Sequence, residues 1–321
     1  MRIWQIVTFG KPAELTEAPI PQPGRGQALV RIRACALNFA DLLMAEGRYQ
    51  ETPPLPFTQG LEFSGEILSL GPDTQGPQPG TRIACYAGQG GLAEYGCFDV
   101  DRLIPIPDTM PYDDAAAFLI AYGTSHLGLS YKARLQPGET LFVTGAAGGV
   151  GLTAVEIGKR MGARVIASAR GAGKLAVAKT AGADVLIDSD SPDLRDQLRA
   201  LGGVDVVYDA VGGEAFDQAL RATNPDGRVL AVGFASGEVP QIKANHLLVK
   251  NIAVIGFWWG GYLNFAPQRL TQSLSVLFDW YADGGLRPHI SARLGMEDLP
   301  RGLDLLRTRQ ATGKIVIHPH A

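Results

Sequence analysis

The sequence predicts an α/β chain in which a doubly wound parallel sheet is joined to a second, mostly β domain. Three observations carry this. Residues 27–99 hold four strand candidates rich in β-branched residues and separated by Pro and Gly. Beyond residue 140, short apolar runs alternate with helical stretches at βαβ spacing, as strands do when helices cover both sheet faces. Between the first such run and its helix lies VTGAAGGVG, residues 143–151, a glycine-rich turn of the dinucleotide-binding kind.

Along the chain, the first candidate strands are 27–37, 61–70, 80–87 and 92–99. A long helix is expected over 113–132, with Asp113 and Asp114 suited to its positive end. The alternating series then runs LFVTG, a helix from Gly149, VIASA, a helix at 172–181, VLID and a helix at 192–201. It continues through VDVVYDAVG, a helix at 214–222, RVLAVGF and IAVIGFWW. A helix at 267–282 and a strand–helix–strand tail at 290–317 follow. They are expected to return to the first domain, since six strands complete a sheet of this type. The expected division is 1–122, 123–262 and 263–321, the first and last parts forming one domain.

Bulk composition narrows the function. A chain of 321 residues, 46% hydrophobic and 19% charged, can bury two cores. Its net charge of −3 gives no basic footprint for nucleic acid. No apolar run approaches the roughly 20 residues of a membrane helix, and no leader pattern opens the chain, so a cytoplasmic protein without a membrane partner is expected. Cys35, Cys85 and Cys97 form neither a CxxC pair nor a disulfide framework.

The turn at 143–151 fits a pyrophosphate. Gly145, Ala146, Ala147, Gly148, Gly149, Val150 and Gly151 are small enough for close backbone approach, and the following helix directs N–H groups at the ligand. The second strand of the series bears on which cofactor is held. An NAD site carries an acid about 20 residues after the glycines. Here the strand ends in Ser168, Ala169 and Arg170, and no acid appears before Asp184. Arg170, Lys174 and Ser168 instead suit a 2′-phosphate, so NADPH is expected.

Metal chemistry is not expected. The five histidines are His126, His246, His289, His318 and His320, all outside the strand-rich first part, and no four-cysteine lobe exists.

The stretches ALNFADLLMAEGRY (36–49), PFTQGLEFSG (56–65), GAAGGVGLTAVEIGKRMGA (145–163), YDAVGG (208–213) and TGKIVI (312–317), in this order, resemble the zinc-free quinone oxidoreductase (zeta-crystallin-like) branch of the medium-chain dehydrogenase/reductase superfamily. The resemblance spans nearly the whole chain. It implies a Rossmann domain and a GroES-like catalytic domain. In zinc-dependent members a histidine ligand stands in place of Leu61 and a cysteine ligand near Asn38, so Glu62 resembles the remnant of a site that lost its metal. Its implied role is structural, bonded to backbone or to an arginine.

The resemblance further implies a polar pocket of Asn38, Asp41 and Tyr49 facing the nicotinamide, with Tyr49 or Asn38 stabilising developing negative charge. Leu43 stands where the quinone branch often has a second tyrosine. Thr124, Val232, Gly233 and Phe234 resemble residues contacting the nicotinamide riboside, and Lys314 a tail lysine near the cofactor. GFWWGGY (256–262) would bring Phe257, Trp258 and Trp259 to the cleft or to a subunit interface, with core packing the equal alternative for any one ring.

The implied activity is NADPH-dependent, zinc-independent reduction of small-molecule quinones and other conjugated carbonyls. A 2-enoyl thioester reductase, acting on coenzyme A or acyl carrier protein substrates, is the alternative. A non-catalytic, crystallin-like or RNA-binding NADPH holder is the second. A homodimer pairing strand 252–258 is also implied.

Overall fold

A computed structural model describes residues 1–321. The chain divides into two compact units, Met1–Ile120 with Arg287–Ala321, and Ala121–Leu286. The first part of the chain supplies β1 (Arg2–Ile6), β2 (Glu14–Glu17), β3 (Gln27–Leu37), α1 (Phe39–Ala45), β4 (Phe57–Thr58) and β5 (Glu62–Leu70). It continues with β6 (Arg82–Tyr86), β7 (Tyr95–Asp99), β8 (Leu103–Pro105) and α2 (Tyr112–Ala116), before α3 (Leu119–His126). The parallel series follows as β9 (Thr140–Val143), α4 (Gly149–Arg160), β10 (Arg164–Ala169), α5 (Gly171–Thr180), β11 (Val185–Asp188) and α6 (Leu194–Ala200). Next come β12 (Val204–Asp209), α7 (Gly213–Ala222), β13 (Thr223–Ala231), α8 (Ala244–Lys250) and β14 (Ala253–Gly256). Helices α9 (Tyr262–Phe265) and α10 (Pro267–Ala282) precede β15 (Ile290–Gly295), α11 (Leu299–Arg307) and β16 (Lys314–His318).

The first unit is built on β3, an eleven-residue strand buried along most of its length. Its main sheet runs β15-β16-β3-β5-β6-β8, with β7 also pairing β3. Successive side chains of a strand point to opposite faces, and the two faces here differ. One carries the large core of Ile32, Leu37, Phe63, Ile83, Ile315 and Ile317. The other is lined by Ala34, Ala36 and Val316 and packs against Ala116 and Ala117, small residues that let α2 come close. A small sheet, β2-β1-β4, completes this unit; its strands escaped the sequence reading.

The second unit is a six-stranded parallel sheet in the order β11-β10-β9-β12-β13-β14. The strand order reverses between β9 and β12, and in open α/β sheets ligands bind at the carboxyl ends of strands at such a point. Its core holds Phe142, Ile166, Val207, Phe216 and Val229.

Two expectations are corrected. The single helix over 113–132 is split into α2, α3 and a π-helical turn, Leu127–Lys132. In an unbroken helix the Ile120 N–H would bond the carbonyl four residues back. Here it donates to Glu62 Oε2 at 2.9 Å, so a buried carboxylate starts a new helix.

The boundary at 262/263 also moves. Helix α10 belongs to the Rossmann unit, which extends to Leu286. Leu270, Leu274 and Leu277 are buried, Ser273 Oγ lies 2.7 Å from His126 Nδ1, and Arg160 lies over the Trp280 ring and pairs with Asp283. Burial pulls the His126 pKa down to about 4, so the imidazole in this contact is neutral.

Candidate active site

In the first unit, cross-strand register assembles the site. Val316, Ala36, Glu62 and Tyr86 stand side by side across β16, β3, β5 and β6. Side-chain alternation puts Lys314 and Asn38 on that same face, two residues beyond Val316 and Ala36. Glu62 is 0% and Lys314 5% exposed. The Lys314 ammonium donates to Glu62 Oε1 at 2.8 Å and to Asn38 Oδ1 at 2.6 Å. Asn38 Nδ2 donates to Glu62 Oε1 at 3.1 Å and to the Ala36 carbonyl at 3.2 Å. Buried charges require this kind of pairing.

Glu62 is bonded to backbone as expected, and its cationic partner is a lysine rather than an arginine. Lys314 bonds both this carboxylate and the Asn38 amide oxygen. Both amide protons of Asn38 are used within the chain, so its side chain has none left for a substrate oxygen.

Asp41 ends the cluster. Its Oδ2 accepts the Asn38 N–H at 2.8 Å in a capping box that starts α1. Its Oδ1 is buried without a partner, as is Oε1 of Gln59, whose Nε2 donates to the Asp41 carbonyl at 3.1 Å. Burial, only partly countered by the Asn38 N–H and the Lys314 charge, raises the Asp41 pKa to about 7. A proton on Oδ1 converts one of two unsatisfied acceptors into a donor.

Tyr49 is half-buried beyond α1. Burial, followed by the influence of Tyr49 and Glu51, raises the Tyr86 phenol pKa, so the two phenols belong to one polar corner. Tyr86 was missed. It faces Glu62 only through strand register, for which the sequence carries no local signal.

In the second unit, Gly145 adopts φ +59 and Gly148 is the N-cap of α4. A Cβ on Gly151 would stand 2.2 Å from the Gly145 carbonyl oxygen, so the turn closes only on glycine. The first-turn N–H groups of α4, on Gly149, Val150 and Gly151, have no partners within the helix. Ala146 N–H is held by the Ser168 carbonyl at 2.9 Å, and Ala147 is buried beside it. Thr144 Oγ1 donates to Asp209 Oδ1 at 2.5 Å, tying the ends of β9 and β12 together. Asp209 also accepts the Gly212 N–H at 2.8 Å, and its carbonyl accepts that of Val232 at the same distance. Val232, Gly233 and the exposed Phe234 are thereby laced to the YDAVGG stretch.

Thr124 is brought to the same end because its neighbour Ser125 donates to the Val150 carbonyl at 2.8 Å. Ser168 is buried in β10, while Arg170 is exposed and paired with Asp190 at 3.0 Å. Lys174 follows in the first turns of α5. Phe257 and Trp259 are core residues, packed against the positions of Gly128 and Gly123. Half-buried Trp258 folds over Gly261.

A glycine turn that only glycine closes, at the switch point of a parallel sheet, is the mark of a dinucleotide-dependent oxidoreductase. Comparison with known proteins makes this specific. Residues 149–278 match the family described as zinc-binding dehydrogenase, and residues 24–108 the alcohol dehydrogenase GroES-like domain. A quinone oxidoreductase-like protein 2 homolog of Nematostella vectensis is 39% identical over 92% of this chain and 82% of its own.

The Thermus thermophilus quinone oxidoreductase, solved also with NADPH, superposes with TM-score 0.88 at 30% identity, covering 99% of this chain and 100% of that one. The Escherichia coli quinone oxidoreductase complexed with NADPH gives TM-score 0.93 at 25% identity with the same coverage. The chain belongs to the quinone oxidoreductase branch of the medium-chain dehydrogenase/reductase superfamily. It is an oxidoreductase, and both of these solved neighbours bind NADPH.

The zinc named in one family description does not fit the donor set. Residues 149–278 hold one histidine, His246, and no cysteine. Nowhere do three or more His, Cys, Asp or Glu residues cluster as metal ligands. Cys35 is buried, its thiol donates to the Glu62 carbonyl at 3.2 Å, and burial raises its pKa well above the usual thiol range.

Proposed function

We propose that the chain reduces quinones and related conjugated carbonyls with NADPH, independently of zinc. The observation that carries this reading is the closed arrangement of Glu62, Lys314 and Asn38. The carboxylate that would serve a metal is instead neutralised by a buried ammonium and bonded to an amide and a backbone N–H. The names of the relatives support the substrate class.

When bound, NADPH supplies the hydride. The chain's own residues bind, orient and protonate. The glycine turn and the start of α4 hold the pyrophosphate, and Arg170 and Lys174 select the 2′-phosphate. With both Asn38 amide protons used, Tyr49 is the group that donates to the oxygen on which charge develops. Asp41 and Lys314 fix Asn38 and through it the start of α1, which leads to Tyr49. The polypeptide works as a homodimer joined along β14, and three unpaired cysteines suit the reducing cytoplasm.

The test is NADPH oxidation with a quinone, a simple enone and crotonyl-coenzyme A, before and after exhaustive chelation. Quinone and enone turnover that survives chelation is expected. Activity lost on chelation and restored by zinc would remove the zinc-independent reading. Turnover confined to the thioester would move the substrate to the enoyl-thioester class.

A further inference from the structure

The corner of the second unit that would meet the adenosine ribose of a bound cofactor contains an acid just beyond β11. Strand β10 ends at Ala169 without a carboxylate, but its neighbour β11 brings one alongside. Ala169 pairs with Asp188, and the Ser189 N–H donates to the Ala169 carbonyl at 3.1 Å. Asp188 Oδ1 accepts the N–H groups of Gly171 at 3.3 Å and Asp190 at 3.1 Å, so its charge is spent on closing this turn. The turn delivers the Asp190 carboxylate to Arg170, whose Nε donates to Oδ1 at 3.0 Å. Both side chains are largely exposed, at 63% and 61%. Beside them Gly171 has φ +75, and a Cβ built there, or on Gly173, would meet nothing within 4 Å. The guanidinium thus faces open space with one carboxylate already on it.

We propose that Asp190 is a specificity-determining residue that limits the preference for NADPH by competing with the 2′-phosphate for Arg170. An exposed ion pair of this kind is weak and separates readily, so the phosphate can replace it. The displaced carboxylate nonetheless stays tethered close to a group carrying nearly two negative charges. NADH, which presents only hydroxyls, feels neither the competition nor the repulsion. The inference rests on the reading of Arg170 as the phosphate-selecting residue.

The experiment measures dissociation constants of NADPH, NADH and 2′,5′-ADP by quenching of protein fluorescence at fixed ionic strength, for the native chain and the Asp190→Asn variant. NADPH and 2′,5′-ADP should bind about 3–10-fold tighter to the variant, with NADH unchanged. Adding Arg170→Ala to Asp190→Asn should abolish the gain. Unchanged or weaker NADPH binding by Asp190→Asn, or an equal gain for NADH, overturns the proposal. A gain that survives Arg170→Ala also overturns it, because competition would then not act through Arg170. If the native chain shows no preference for NADPH but Asp190→Asn acquires one, the native preference fails as a reading while the competition stands.

Discussion

Glu62 and Lys314 sit in a place where neither charge can be left alone. Replacing Lys314 by Met leaves a buried carboxylate facing only an amide and one N–H, and should cost about 3–5 kcal/mol of stability in chemical denaturation. Combining it with Glu62→Gln should recover most of that loss; a double variant no more stable than Lys314→Met would show that the ammonium does more than neutralise Glu62. Asp41 has a different pH signature. Its pKa is raised from 3.8 unfolded to about 7 folded, so the folded chain holds a proton that the unfolded chain has released. Stability should fall as pH rises from about 4 to 7, by roughly 1.4 kcal/mol per pH unit at most. The slope should be absent in Asp41→Asn, whose neighbours Glu62, Lys314 and Gln59 are unchanged. Tyr49→Phe should lower kcat for an enone about 10–1,000-fold with the NADPH dissociation constant unchanged, and less for a quinone, whose reduced anion is more stable. An unaffected kcat with both substrates would leave protonation to water.

At the scale of elements, the phosphate turn shows how far a contiguous motif can be read. Its glycines announce a strand–turn–helix, and the structure gives the reason in the close approach of Gly151 to the Gly145 carbonyl. Gly151→Ala should weaken NADPH binding at least about tenfold by pushing α4 away from the turn, read by cofactor titration of the folded variant. Gly123 is a glycine of another sort. A Cβ there would stand 2.7 Å from the Trp259 indole nitrogen, so Gly123→Ala should destabilise the Rossmann unit by about 1–3 kcal/mol in thermal or denaturant unfolding. For GFWW the sequence left a ligand wall, a subunit interface and core packing all open. Apolar content alone cannot distinguish a ring that walls a site from one that fills a core, and Phe257 and Trp259 fill the core. The broken helix was illegible for a related reason. Residues 113–132 have helical character throughout, and only a carboxylate 58 positions away marks the break.

For the molecule as a whole, local pattern predicted the parallel sheet because each βαβ repeat announces itself within a few dozen residues. The catalytic unit was less legible, since its site is made by pairs such as Glu62 and Lys314, 252 positions apart, that meet only through strand register. The proposed dimer has support at the same scale. β14 has a neighbour, β13, on one side only. Leu248 and Val249 of the preceding helix are 78% and 77% exposed, and Val239 and Ile242 are exposed as well. Open strand edges beside apolar surface invite pairing. Sedimentation should show a dimer at micromolar concentration, and Leu248→Glu with Val249→Lys should shift it toward monomer without lowering the melting temperature of a monomeric reference.

Strand β16 lies between β15 and β3, inside the sheet that carries the Glu62–Lys314–Asn38 cluster. On the ribosome that strand emerges only after the entire Rossmann unit has been made. Until then the Cys35–Leu37 end of β3 has an unpaired edge, and the Glu62 carboxylate has no ammonium to meet it. The Rossmann unit, continuous from Ala121 to Leu286, can fold first. The catalytic unit is therefore held open through most of translation and becomes competent in a single late step, when the strand bearing Lys314 inserts. Nascent chains arrested before residue 314 should bind NADPH yet remain protease-sensitive across residues 27–70.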